Sequence, residues 1–165
     1  MKIIRLIALL ITLSAFFISC EKDDTVSSPA DFNSTGLPMT GAQEVPAVTT
    51  TASGTIDITY SRSTKLLSYT ITWQNLSGPV AALYIHGPSQ PGYQGSILQK
   101  VIASSGGVAT PNPAKYGASA SYTGFIYVDD IKIKESDVIY NKLYANIYTA
   151  ANQGGEIRGR LIVWQ

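Results

Sequence analysis

From Met39 onward, apolar and polar residues alternate along this chain with a period of two. Asp57 and Thr59 separate Ile56, Ile58 and Tyr60, and Ser68, Thr70 and Thr72 separate Leu67, Tyr69, Ile71 and Trp73. Successive side chains of a strand point to opposite faces, so the pattern predicts strands buried on one side. Ser61–Thr64 falls between these runs and reads as a hairpin loop. A third run sets Ala81, Leu83 and Ile85 on one face and Ala82, Tyr84 and His86 on the other. Gly95–Ala103 and Ser119–Val128 are further candidates. Leu143, Ala145 and Ile147 alternate with Tyr144, Asn146 and Tyr148. Ile157, Gly159, Leu161 and Val163 alternate with Glu156, Arg158 and Arg160. Gly154 and Gly155 precede this last run and supply its turn, because glycine reaches positive φ without steric cost. About seven to nine short strands of this kind predict an all-β, antiparallel sandwich or barrel. Only residues 135–142 read as helical, with Ser136 as the cap and Val138, Ile139 and Leu143 on one apolar side. Ser104–Tyr116 holds Gly106, Gly107, Pro111 and Pro113, shows no period, and reads as a long connecting loop.

The N-terminus carries a different signal. Lys2 and Arg5 precede Leu6–Ile18, 13 residues that are apolar except for Thr12 and Ser14. Such a run is too short to span a bilayer and suits a signal-peptide core. Phe17-Ile18-Ser19 then leads into Cys20, the single cysteine. This resembles the lipobox of bacterial lipoproteins. The resemblance implies removal of residues 1–19, lipidation of Cys20, and a membrane partner reached through its acyl chains. Several chains anchor stably where one is marginal. Glu21-Lys22-Asp23-Asp24 resembles a surface-export signal of lipoproteins in some Gram-negative bacteria. The expected location is therefore the cell envelope, at the outer membrane and facing outward. Thr25–Thr35 is rich in Ser, Pro and Asn and reads as linker, giving a tether over 20–36 and one folded domain over 37–165.

Composition narrows the function classes. A chain of 165 residues is the size of one domain and buries roughly 70% of its unfolded surface without a metal or disulfide staple. Only 14% of residues are charged and the net charge is +1, which argues against a disordered chain and against a nucleic-acid binder. One Cys excludes a disulfide framework, and one His excludes a site built from several imidazoles.

Little in the pattern suggests catalysis. A serine or threonine nucleophile needs a base, His86 is the only imidazole, and no nucleophile-elbow motif is present. Glu44, Asp57, Asp129, Asp130 and Glu156 offer carboxylates without an acid/base motif, and Asp129-Asp130 reads as a turn. Glu156, Arg158 and Arg160 share a strand face and read as an exposed ladder rather than an anion site. His86 reads first as a structural histidine. Ten tyrosines are an excess: Tyr60 and Tyr69 fall in the apolar phase and belong to the core, whereas Tyr84, Tyr144 and Tyr148 fall in the other phase. If their strands are neighbours, they form with His86 one candidate binding face for a protein or glycan, because tyrosine offers large, stiff, amphipathic area.

Three segments in order carry a family resemblance. They are Leu37–Pro46 (LPMTGAQEVP), Leu76–Pro88 (LSGPVAALYIHGP) and Leu143–Leu161 (LYANIYTAANQGGEIRGRL). Together they resemble the CHRD domain, named for chordin and found in bacterial secreted proteins. The resemblance implies an extracellular all-β domain that is not an enzyme. The motif order also resembles Cu/Zn superoxide dismutase, which implies a Greek-key arrangement only. CHRD domains typically carry His-Ile-His where this chain has Tyr84-Ile85-His86, and a third His where it has Tyr148. Phenols are poor ligands beside imidazoles, so no metal and no cofactor are expected. The alternatives are a carbohydrate-binding module using the tyrosines and a divergent metal-binding protein of the dismutase type.

Overall fold

A computed structural model describes residues 31–103 and 112–164. The expected signal segment 1–19, Cys20, and the 104–111 part of the long loop lie outside them. Among the described residues, eight strands form one antiparallel sheet: β1 (Phe32–Thr40), β2 (Ser53–Ser61), β3 (Leu66–Gln74), β4 (Val80–His86), β5 (Ile97–Ile102), β6 (Ala120–Tyr127), β7 (Tyr144–Thr149) and β8 (Ile157–Arg160). Their order is β5-β4-β7-β8-β1-β2-β3-β6. β3 connects across the sheet to β4, and β5 connects back to β6 beside β3, the long crossings of a Greek key. The sheet curls into a nearly closed barrel. At the seam, Gln99 of β5 accepts from the Tyr69 hydroxyl at 3.0 Å and donates to the Phe125 carbonyl of β6 at 3.1 Å.

The predicted alternation fills the barrel. Ile56, Ile58, Tyr60, Leu67, Tyr69, Ile71, Trp73, Leu83, Ile85, Ala145, Ile147 and Ile157 are each at most 2% exposed. Each large member contributes roughly 1.5–3 kcal/mol by leaving water. The β2–β3 hairpin pairs without a break from Ser53↔Gln74 to Ser61↔Leu66, turning through Lys65 at φ 57°.

The helix is shorter than expected: α1 spans Glu135–Ile139, and Lys134 rather than Ser136 holds the N-cap position. Its first residue ties it to the β2–β3 hairpin. Glu135 accepts from the Tyr60 hydroxyl (3.1 Å), Arg62 Nε (2.9 Å) and Lys65 Nζ (2.7 Å).

The first strand corrects the sequence reading. Residues assigned to the tether form the start of β1, with Phe32 2% and Ser34 6% exposed. A bulge between Ser34 and Leu37, with Gly36 at φ 66°, shifts the inward phase by one residue. The alternation is thereby broken, and Ser34 puts a polar residue in an inward position.

Candidate functional site

β4, β7 and β8 run side by side. Their inward positions are core residues: Leu83, Ile85, Ala145, Ile147 and Ile157. Their outward positions therefore share the other face. The register sets His86 opposite Tyr144, Tyr84 opposite Asn146, Ala82 opposite Tyr148, and Asn146 opposite Arg158. Alternation along two strands plus this register brings together all four aromatic positions read from the sequence.

The rings are in mutual contact. His86 stacks on Tyr144 with centroids 4.9 Å apart and planes 5° from parallel. Tyr84 lies 5.3 Å from Tyr148 and 6.1 Å from His86, centroid to centroid. The Arg158 guanidinium sits 3.4 Å from the Tyr144 ring centre, a close cation–π contact.

Hydrogen bonds fix the state of His86. Its Nδ1 lies 3.0 Å from the Gly95 carbonyl, which can only accept, so Nδ1 carries the proton. Nε2 then accepts from the Tyr148 hydroxyl at 2.9 Å. Burial lowers the His86 pKa below its ordinary value; the Gly95 bond opposes this, and the Arg158 charge adds to it. The same burial raises Tyr148 above the ordinary phenol value, so both groups stay neutral. Among the described residues, no group of three or more His, Cys, Asp or Glu side chains is placed to hold a metal ion.

A loop over residues 87–96 covers this face. It closes on itself through Gly87 N–H to the Ser96 carbonyl at 3.0 Å, and Gly95 N–H donates to the Tyr144 hydroxyl at 2.9 Å. Arg158 Nη2 donates to the Tyr93 carbonyl (2.7 Å), and Arg160 Nη2 to the Ser89 carbonyl (2.8 Å). As a result Tyr144 is only 2% exposed and His86 6%, while Tyr84 and Tyr148 are half-buried.

This cover over Arg158, and the Thr50, Ser77 and Thr149 hydroxyls around Glu156, correct the exposed-ladder reading of the last strand. Glu156 is 0% and Arg158 3% exposed. Burial pushes the Glu156 pKa up, but hydrogen bonds from Ser77, Thr149 and Thr50 outweigh it and hold the carboxyl below its ordinary value. Those bonds are 2.6 Å from Ser77 Oγ, 2.7 Å from Thr149 Oγ1 and 2.8 Å from Thr50 Oγ1. Glu156 therefore pins the turn before β8 to its neighbours. Gly155 in that turn adopts φ 117°, where glycine is favoured, and Gly154 precedes it.

Glu44, in the stretch after β1, was not singled out by pattern, yet it is 5% exposed and reaches Asn146 across the wall. Asn146 Nδ2 donates to Glu44 Oε2 at 3.2 Å. Glu44 Oε1 and Asn146 Oδ1 are buried without a hydrogen-bond partner. Burial raises the Glu44 pKa to about 7, against the Arg158 charge and bonds from Asn146 and Val45 N–H. Ala42, Gln43, Glu44, Pro91, Arg158 and Arg160 line a cavity of about 200 Å³ beside this pair. The three motif segments are the ones that build the site. The first supplies Glu44, the second Tyr84 and His86, and the third Tyr144, Asn146, Tyr148, Gly155 and Arg158.

Fold and site together define an all-β barrel domain whose outer wall is a locked network of rings, amides and buried charges. The family model for the CHRD domain matches residues 36–161, and the chain belongs to that family. CHRD domains are generally non-enzymatic. Comparison with curated proteins and with solved structures finds no match.

Proposed function

We propose that this chain is a lipoprotein of the bacterial cell envelope, held at the outer membrane by acyl chains on Cys20. Its CHRD domain faces outward and works as a non-catalytic binding module whose wall presents the half-buried Tyr84 and Tyr148, with His86 and Tyr144 buried beside them as their support. The observation that carries the reading is the state of His86. Both ring nitrogens are engaged, Nδ1 by Gly95 and Nε2 by Tyr148. A general base needs a free lone pair within reach of a substrate proton, and the single imidazole spends its lone pair on Tyr148. Organised aromatic area beside buried charge suits recognition instead. A metal centre of the dismutase type is disfavoured because phenols stand at two of the three relevant positions.

The anchor is tested by feeding cells a clickable fatty acid. The wild-type chain is expected to take the label and Cys20→Ala to lose it, since no second thiol exists. An antibody to the domain is expected to stain intact cells. Label retained by Cys20→Ala, or staining only after permeabilisation, contradicts the anchor or the outward orientation respectively.

A further inference from the structure

Arg158 and Arg160 project from alternate positions of β8 toward one cavity, together with residues 42–45 and the Pro91-Gly92 tip of the covering loop. Arg158 is 3% exposed. Buried charges are ordinarily paired, yet among the described residues neither guanidinium has a carboxylate within 4.0 Å. Nor are their donors used up. Of five N–H groups each, Arg158 gives one to Tyr93, and Arg160 gives one each to Asn141 and Ser89. The surroundings register the uncompensated charge. Burial lowers the Arg160 pKa below its ordinary value and the Arg158 charge adds to it, as it does at His86. Glu44 on the cavity wall is a weak counter-ion, because burial raises its carboxyl to about 7 and Asn146 occupies Oε2.

The cavity suits a small monoanion. Its volume of about 200 Å³ lies below the ~300–1,000 Å³ of pockets that enclose drug-sized ligands, so it takes one ring or end group. Above about pH 7, where Glu44 ionises, a doubly charged phosphate or sulfate would set its second charge against it, whereas a singly charged carboxylate matches the guanidiniums with a forked, two-oxygen geometry. Residues in and beside the lining add a sugar-like preference. Tyr93, next to Gly92, is 69% exposed and offers a flat amphipathic ring. Gln43 spends its amide N–H on the Pro38 carbonyl at 2.8 Å, and its side-chain carbonyl has no partner among the described residues.

We propose that this cavity binds a uronic acid, with the sugar carboxylate against Arg158 and Arg160 and its hydroxyls toward residues 42–45 and Tyr93. The proposal rests on the reading of the domain as a binding module, and names its ligand class. The source is either a free uronate or a uronate unit of a polysaccharide.

The test is titration calorimetry on the purified full-length protein in detergent, with galacturonate, oligogalacturonate, galactose and inorganic phosphate. Arginine Nε–H signals are followed in parallel by nuclear magnetic resonance on the wild type, which needs no variant. Galacturonate is expected to bind at least tenfold more tightly than galactose or phosphate, and to shift the Arg158 and Arg160 signals. Arg160→Gln, at a half-buried position, gives up the bonds to the Asn141 and Ser89 carbonyls and is expected to melt somewhat lower while staying folded; measured below its melting temperature, it is expected to lose tenfold or more in galacturonate affinity. Tighter binding of the oligomer supports a polysaccharide source, and equal affinities support the free sugar. Phosphate or galactose binding as tightly as galacturonate overturns the proposal, as do unmoved arginine signals. A glycan array separates this failure from that of the parent reading. Neutral glycans that bind without moving the arginine signals overturn the cavity and leave the binding module standing, whereas an empty array and an empty protein-partner screen sink both.

Discussion

Glu44 and Asn146 stand 102 residues apart in sequence and meet in a buried pair with only one hydrogen bond, 3.2 Å long, between them. Two oxygens, Glu44 Oε1 and Asn146 Oδ1, are left without partners, and both crowd Gly155. A Cβ there would lie 2.5 Å from Asn146 Oδ1 and 2.7 Å from Glu44 Oε1. With Glu44 ionised, two acceptors share a dry space. With Glu44 protonated, its hydroxyl can donate to Asn146 Oδ1 and the pair becomes reciprocal. A carboxyl pKa raised from 4.5 to about 7 agrees with the protonated form. The native state then holds the proton more tightly than the unfolded chain. The resulting stability is complete below about pH 4.5 and is lost as pH rises through about 7; its size is on the order of 3 kcal/mol. His86, whose pKa is lowered, has the opposite sign: its contribution is present above the ordinary value of 6.5 and is lost on acidification. Glu44→Gln separates the two, because an amide is permanently in the donor–acceptor arrangement. The variant is expected to melt with wild type at pH 5 and several degrees above it at pH 8. A difference between the two proteins that stays constant from pH 5 to pH 8 would rule out the protonated pair.

Among the elements, strands were legible where alternation ran unbroken, as in β2, β3, β4 and β7. β1 was hidden by its bulge at Gly36, which moves the inward phase from Phe32 and Ser34 to Leu37 and Met39. Alternation also told which side chains share a face, and so grouped Tyr84 with His86 and Glu156 with Arg158. It carries no information about what covers that face, and so Glu156 and Arg158 read as exposed. Arg158 is covered by the 87–96 loop and Glu156 by Thr50, Ser77 and Thr149, and Gly95 fastens the loop through the His86 and Tyr144 bonds. A Cβ at Gly95 would sit 2.9 Å from Gly87 Cα and 3.0 Å from Gly87 N, backbone atoms that cannot swing aside. Gly95→Ala is therefore expected to lift the loop, with both bonds lost at a cost of roughly 1–3 kcal/mol. The His86 titration, followed by its ring-proton resonances, should move upward toward the ordinary value as the ring is wetted. An unchanged His86 titration in a destabilised variant would show that Gly95 supports the fold without gating the site.

At the scale of the whole molecule, sequence period gives strands but not their neighbours. The order β5-β4-β7-β8-β1-β2-β3-β6 follows from long crossings that no local pattern encodes, and the resemblance of three ordered motifs supplied the only early hint of it. The same order leaves β5 and β6 at the two ends of the sheet, and an unpaired end strand is a site for unwanted pairing. Closure rests on side chains. Gln99 accepts from Tyr69 and donates to the Phe125 carbonyl, and Lys132 Nζ donates to the Leu98 carbonyl. Tyr69 is only 2% exposed, so losing its acceptor leaves a buried hydroxyl unsatisfied. Gln99→Ala is thus expected to cost roughly 1–3 kcal/mol. At about 2–4 °C per kcal/mol for a domain of this size, the melting temperature should fall by roughly 2–12 °C. The effect should be local before it is global: amide hydrogen exchange is expected to accelerate in β5 and β6 while β1, β2 and β7 keep their protection. Tyr69→Phe provides the control, since it removes the hydroxyl but leaves the Gln99 amide on Phe125. β6 exchange should then stay near wild type. Uniform acceleration across all eight strands in Gln99→Ala would mean that the seam is not held by this residue, and that closure comes from the curvature of the paired strands alone.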